Sequence, residues 1–488
     1  MIDLWLLSPE IIVAAVAVLV LAGDLLLPAA TSRKSLGTLS AVGVAVALVA
    51  TAGQVLPAVA GSSGISYFGG LLIEDTLAVS FKIIFLATAF LVLLFSFNYV
   101  ESRIERHQGE FYWLILTALL GMMITAASQE LITIYVGIEL ISLSFYALVG
   151  FLQDDKASTE AALKYFILGS LAIGIWLYGA TIIYGLTGST RLAGIAEGLS
   201  GNFGPLAFLG LFLLIVGFGF KMGLAPFHMW VPDTYEGAPT PITAYLAVGS
   251  KAAAFAVFLR VMLTAFAPVY ANWAILVGVI AALTMTWGNI AAIPQTNIKR
   301  MLAYSGVAQA GYTLVGVVAL NSVGATAVIF YLFGYLFANL GAFAVVVGFA
   351  NRTGSDNIAD YAGLRWRNPF LAFGLAMCLL SLAGIPPLVG FFGKLYLFLG
   401  AMQQGGWLMT LVIIAAINSA ISLYYYVNVI RTMYFMQPVD DTPVPGSAGV
   451  SATVVIAIVG VLLATMYFQP VVSAIGAGSV AALLSPAL

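Results

Sequence analysis

A chain of 488 residues, 62% hydrophobic and 8% charged, with a mean hydropathy of +1.06, lies outside the composition range of water-soluble globular domains. A net charge of −2 without a basic patch argues against nucleic acid as a partner. Apolar runs long enough to cross a hydrocarbon core, about 20 residues each, recur from end to end. No polar stretch between them could form a soluble domain, so residues 1–488 read as a single all-α polytopic membrane domain.

Taken in chain order, length and apolar periodicity predict spans at 4–27, 36–57, 76–98, 111–127, 130–151, 157–186, 206–229, 240–266, 271–292, 301–320, 323–350, 368–399, 405–436 and 450–475, about fourteen in all. Several exceed one membrane thickness, which predicts tilt or a break. The first carries Glu10 and Asp24 and has neither a basic leader nor a small-residue cleavage site, so it reads as a retained helix and not a signal peptide.

Cytoplasmic connections retain lysine and arginine. Arg33 and Lys34, Arg103 and Arg106, Lys156, Lys299 and Arg300, Arg352, Arg365 and Arg367, and Arg431 fall in or beside every second connection. The opposite connections hold Arg191, with Arg260 near another helix end. This alternation places both termini away from the cytoplasm and supports an even number of spans.

Cys378 is the single cysteine, and His107 and His228 are the two histidines. A disulfide within the chain, an iron–sulfur centre, a bis-histidine haem and a histidine-rich metal site are therefore not expected. Glycines are abundant but form no phosphate-binding motif ahead of a helix. Energy for any transport step is expected to come from elsewhere than a cofactor or nucleotide held by this chain.

Charges inside apolar runs are the best functional pointers, because each costs several kcal/mol near a bilayer centre unless paired or hydrated. Glu139, Lys164, Lys221, Lys251 and Lys394 occupy five different spans. Burial disfavours an ammonium and a nearby carboxylate favours it, so such lysines can gain and lose protons near neutral pH. One glutamate cannot neutralise four lysines, and some of them should be neutral, hydrated or paired with other chains. The competing reading has each lysine snorkelling or held in a static ion pair. Lys82 and Arg260 lie within about two turns of helix ends, and snorkelling is the expectation for both.

Proline placement adds to the picture. In FKMGLAPFHMWVPDTYEGAPTP, Pro226 follows Lys221 closely, removes a backbone donor and crowds the preceding turn, so the seventh span should kink or unwind there. Unpaired backbone within a membrane is tolerated where it lines protein or water, which implies a hydrated cavity near Lys221. LAGIPPLVGFFGKL repeats the device in the twelfth span, with Pro386 and Pro387 ahead of Lys394. A shift of five helices reverses membrane direction, so the breaks suggest two inverted five-helix repeats, helices 4–8 (111–266) and 9–13 (271–436), after helices 1–3 (1–98) and before a final helix (450–475). In the second half, Gln309, Tyr312, Tyr335, Asn339, Asn418 and Ser422 could carry a water-wired path or simply join helices by hydrogen bonds. His228 could pass protons to and from Lys221 or bond a freed carbonyl, while Asp233 and Glu236 should cap the next helix or bind a neighbouring loop.

Three long strings, LAPFHMWVPDTYEGAPTPITAYLAVGSKAAAF, NIKRMLAYSGVAQAGY and SLAGIPPLVGFFGKLYLF, resemble the antiporter-like membrane subunits of respiratory complex I. The resemblance covers nearly the whole chain and is nearest to the subunit N type, which is called subunit 2 in mitochondria and has counterparts in chloroplast and cyanobacterial enzymes. It implies that Glu139 modulates Lys221, that Lys164 and Lys251 carry protons toward the centre, and that Lys394 is the exit toward the non-cytoplasmic side. A lysine at the Lys394 position, and a chain ending at Leu488 soon after its last span, suit this type better than its sister subunits. The resemblance also implies that NADH, FMN, iron–sulfur clusters and quinone belong to partner subunits, membrane and peripheral, with no cofactor in this chain. A bacterial inner membrane is the implied location, or a thylakoid membrane in a photosynthetic source. The alternatives are a stand-alone or Mrp-type cation/proton antiporter and a structural membrane scaffold.

Overall fold

The computed structural model describes residues 2–28, 31–55, 64–438, 440 and 442–476. In chain order its principal helices are α1 (Ser8–Leu26), α2 (Lys34–Gly53), α3 (Thr76–Arg103), α4 (Gln108–Ala127), α5 (Leu131–Val149), α6 (Lys156–Thr187), α7 (Pro205–Met222) and a short α8 (Trp230–Gly237). Then come α9 (Thr240–Thr264), α10 (Tyr270–Ala292), α11 (Ile298–Val318), α12 (Ser322–Thr353), α13 (Pro369–Ala383), α14 (Val389–Gln404), α15 (Leu408–Phe435) and α16 (Ala448–Met466). Thirteen helices among the described residues are long and apolar enough to cross a membrane. As Pro226, Pro386 and Pro387 predict, the span at 368–399 divides into α13 and α14, and the seventh span ends at Met222, short of residue 229.

Helix starts follow short polar residues in the sequence. Asp75, Glu130, Asp155, Asn297, Asn321, Asn368 and Ser447 each accept a backbone N–H of the helix they precede. Such caps satisfy donors that have no intrahelical partner, worth about 1 kcal/mol each. Between α2 and α3 the antiparallel strands β1 (Ile65–Tyr67) and β2 (Leu72–Glu74) form a small hairpin, with Ile65 opposite Glu74.

Basic connections gather on one face, as the alternation of charge predicts. There Arg33 pairs with Asp24 at 2.7 Å, Lys34 with Glu101 at 3.2 Å, and Arg103 donates to the Ala350 carbonyl. A polar basin of about 1180 Å³ opens on this face, walled by Arg103, Glu105, Asp154, Glu236, Lys299 and Asp356. The hairpin, Glu130 and Arg191 mark the opposite face.

At the centre runs α9, buried on every side along its hydrophobic length. It contains a π turn, Leu246–Ser250, immediately before Lys251. Its two ends are fastened: Thr243 donates to the Tyr235 carbonyl at 2.9 Å, and Arg260 donates to Asp75 through both terminal nitrogens at 2.8 and 2.9 Å and to the Ala126 carbonyl at 3.1 Å.

Two expectations are corrected here. Arg260 and Lys82 do not snorkel: their side chains are 1% and 0% exposed. Lys82 donates to Glu10 at 2.7 Å and to Glu74 at 2.6 Å. Carboxylates remote in sequence or across the hairpin converge on each cation, so neither has reason to reach for water. Glu139 is correspondingly not the sole carboxylate of the interior, since Glu10, Glu74 and Asp75 are all buried.

Candidate functional site: two broken helices and the buried lysines

Both breaks are built the same way. At the end of α7, Gly223 takes a left-handed conformation (φ 73°), its N–H donates to the Phe220 carbonyl at 3.1 Å, and the Leu224 N–H donates to Gly219 at 2.8 Å. At the end of α13, Gly384 does likewise (φ 88°), bonding Ser381 at 3.0 Å, while Ile385 bonds Leu380 at 3.1 Å. This paired closure needs a residue at positive φ, which glycine adopts without a Cβ penalty. Three residues on, Pro226 and Pro387 prevent the helix from resuming at once.

The freed backbone groups find partners. Trp230 Nε1 donates to the Phe220 carbonyl at 2.9 Å, and the Ala225 N–H donates to Thr284 Oγ1 at 3.0 Å. Neither Trp230 nor Thr284 was singled out by sequence, although a tryptophan N–H near a proline break is a reasonable candidate for such a role. His228 does not take it: Nδ1 is buried without a hydrogen-bond partner among the described residues, and the ring lies against Trp287.

Lys221 sits in the last turn of α7 and donates to Ser142 Oγ at 2.6 Å. The rings of Tyr146, Tyr165 and Phe220 lie 5.7 to 5.9 Å from its Nζ, within cation–π range. Glu139 stands one turn before Ser142 on α5, half-buried, with Oε1 lacking a partner among the described residues. Lys251, beyond the π turn, donates to the Gly306 carbonyl of α11 at 2.6 Å. Lys394, on α14, donates to the Leu382 and Ala383 carbonyls at 3.1 and 3.0 Å and to Ser419 at 3.1 Å. Those carbonyls belong to the last turn of α13, where the helix dipole favours a cation.

Hydrogen bonds thread α11 toward Lys394. Ser305, the neighbour of Gly306, bonds the Tyr426 hydroxyl, and Gln309 donates to Tyr426 at 3.1 Å and to the Leu382 carbonyl at 2.9 Å. Tyr331 donates to the Gln309 side-chain carbonyl. Beside this thread Asn289, Tyr312, Asn418 and Tyr425 form a second knot, and Lys394 Nζ lies 4.6 Å from the Tyr312 ring centre. Gln309, Tyr312 and Asn418 were flagged by sequence; Ser305, Tyr331, Tyr425 and Tyr426 were not. They lie on three different helices, so no spacing within one helix announced them.

Lys164 stands apart from the other lysines. It lies two turns into α6 at the basic face, 42% exposed, paired with Glu160 and Asp233 at 2.8 Å each. Asp233 also accepts from Arg300 at 2.7 Å, and Arg300 reaches Glu236 at 2.9 Å. Asp233 and Glu236 thus tie the broken-helix corner to α6 and α11. Burial alone would raise the Asp233 carboxyl, but hydrogen bonds and charge from Lys164 and Arg300 hold it below its ordinary range. Among the described residues no group of three or more His, Cys, Asp or Glu is placed to hold a metal ion.

A helical membrane bundle with two proline-broken spans and buried lysines on neutral acceptors defines an antiporter-like class, and sequence comparison agrees. Residues 128–422 match the family described as NADH:quinone oxidoreductase/Mrp antiporter, TM, and the chain belongs to that family. Within it, the chain is 45% identical over 440 residues to the NADH-quinone oxidoreductase subunit N of Trichlorobacter lovleyi, covering 89% of this chain and 88% of that one. It is 46% identical over 379 residues to the NAD(P)H-quinone oxidoreductase subunit 2 of Synechococcus elongatus, covering 77% and 72%. A chain of respiratory complex I from Thermus thermophilus superposes with a TM-score of 0.81 at 33% identity, covering 96% of this chain and 100% of that one. A chain of the Mrp complex from a Dietzia species shares the fold, with a TM-score of 0.86 at 19% identity and coverage of 98% and 97%.

Proposed function

We propose that this chain is a proton-translocating, antiporter-like subunit of a quinone-reducing respiratory complex of the complex I type, working as part of a translocase beside the other membrane and peripheral subunits. NADH oxidation and quinone reduction take place in those partners, which hold the FMN and iron–sulfur clusters. The multi-pass chain lies in a bacterial inner membrane with the basic face toward the cytoplasm. One observation carries the reading. Lys221, Lys251 and Lys394 are buried, and each is held by hydroxyl or carbonyl oxygens instead of a carboxylate. A buried ammonium without a counterion is held weakly in its charged form, so small changes nearby suffice to move its proton.

The geometry supports the following roles. Lys164 collects protons at the basic face through the Asp233 and Glu160 carboxylates. Lys221 takes the proton at the first break, under the influence of Glu139 and with His228 at the turn. Lys251 passes it to the second half, and the Ser305, Tyr426 and Gln309 thread leads toward Lys394, the exit at the second break. The breaks at Gly223 and Gly384 mark equivalent positions in two inverted halves. Moving one charge against 100 mV costs about 2.3 kcal/mol, comparable to rearranging one or two charged hydrogen bonds.

The test is proton pumping coupled to quinone reduction in membranes carrying Lys221→Ala, with native-gel assembly as control. The reading predicts an assembled complex with reduced pumping. Unchanged pumping in the assembled variant would remove Lys221 from the path.

A further inference from the structure

Away from the lysine axis, at the hairpin face, Lys82 of α3 is enclosed by Glu10 of α1 and Glu74 of β2. The three side chains are between 0% and 7% exposed. Tyr67 of β1 donates its hydroxyl to Glu74 Oε2 at 3.3 Å. Each carboxylate spends one oxygen on Lys82, and the other, Glu10 Oε2 and Glu74 Oε1, is buried with no hydrogen-bond partner among the described residues.

Charge does not balance here. Two carboxylates face one ammonium, which leaves one surplus negative charge in a site without water access. The next charged residue in the chain, Asp75, does not help, because its own charge is met by Arg260 of α9. Helix α4 also packs on β2, but its ionisable side chains, Glu110 and Tyr112, lie in its first turns at the far face. An unpaired charge buried this way costs several kcal/mol, and two carboxylates sharing a site favour retention of a proton on one of them. Lys82 already occupies the space between the oxygens it holds, which favours a proton over a metal ion as the neutralising species.

We propose that Glu10, Glu74 and Lys82 form a proton-binding site distinct from the lysine axis, in which one proton resides on the free oxygens of the two carboxylates. Burial, opposed by Lys82 and assisted by Glu10, pushes the Glu74 carboxyl up to about 7. Proton occupancy therefore changes across the physiological range. It governs how firmly α1 and the hairpin are drawn onto α3: with the proton on, the triad is neutral, and with the proton off, the two carboxylates repel across Lys82.

The test uses the intact complex in membranes, with the proton itself as probe. Infrared difference spectra between acid and alkaline pH are recorded for the wild type, Glu74→Gln and Glu10→Gln. The expected result is a protonated-carboxyl band titrating near neutral pH in the wild type and missing from both variants, because either substitution leaves a neutral pair with Lys82. A band that persists in a Glu139→Gln complex separates this site from the lysine axis. As a second readout, a carboxyl raised in the folded state stabilises below its unfolded value of 4.5 and loses that stabilisation as pH rises through about 7. The wild-type complex should thus lose thermal stability over this window, and Glu74→Gln should not. Wild-type and variant spectra that coincide, or identical stability slopes, would overturn the proposal.

Discussion

Asp75→Asn is a sharp test of how α9 is held. In the folded chain Asp75 accepts two hydrogen bonds from Arg260 at 2.8 and 2.9 Å and one from the Ala78 N–H at 2.8 Å, with both side chains 1% exposed. Asparagine caps a helix about as well as aspartate, so this substitution removes the charge and leaves the cap. Breaking a buried ion pair from one side costs about 3–5 kcal/mol, because the remaining charge is stranded. Asp75→Ala also loses the cap, about 1 kcal/mol more, so it should be the worse of the two. Removing both charges in Asp75→Asn with Arg260→Met should recover most of the loss, since a dry neutral site avoids the stranded charge. The assay is a double-mutant cycle on thermal unfolding of the assembled complex, with native-gel assembly alongside. A single Asp75→Asn complex as stable as the wild type, or a double variant no better than the singles, would refute the argument that the pair is a mutual dependence.

Two other outcomes follow from local geometry. In Gly306→Ala the new Cβ would lie 2.9 Å from Lys251 Nζ, the mobile tip of a side chain, so assembly should survive while the ammonium is displaced from the Gly306 carbonyl. Loss of a hydrogen bond to a charged group, about 1.5–3 kcal/mol, should shift the Lys251 proton equilibrium tenfold or more, read as reduced pumping in an assembled complex. For Asp233, whose folded carboxyl ionises below its unfolded value of 3.8, the stabilisation is complete above 3.8 and disappears as pH falls through the folded value. Asp233→Asn should flatten that acid limb of the stability curve, by less than about 1 kcal/mol at this solvent-screened site.

The breaks were legible in the sequence because glycine and proline act on the backbone locally: Pro226, Pro386 and Pro387 announced them without knowledge of any neighbour. Capping residues such as Asp75 and Asn297 act just as locally. Counterions were not legible, because an ion pair belongs to two places in the chain. Asp75 and Arg260 are 185 residues apart, and nothing around Arg260 distinguishes a locked cation from one reaching for water. The shallow position of Lys164 was not legible for a different reason. Counting from Lys156 at 1.5 Å per residue puts it only about 12 Å into α6, close enough to the basic face for Asp233 and Glu160, but periodicity marks a span without marking depth. Tyr426 and Ser305 were masked by the apolar context of their helices, since a hydroxyl reads as a packing residue until its partner is known.

The π turn ahead of Lys251 gives α9 one residue of slack between two fastened ends. In an α-helix each residue turns the side chains by about 100°, so a wider turn that migrated one residue toward Arg260 would swing Lys251 away from the α11 carbonyl by roughly that angle. Neither end of the helix would have to move. A rod clamped at Thr243 and Arg260 could thereby redirect Lys251 by a slip of register, leaving the surrounding bundle in place.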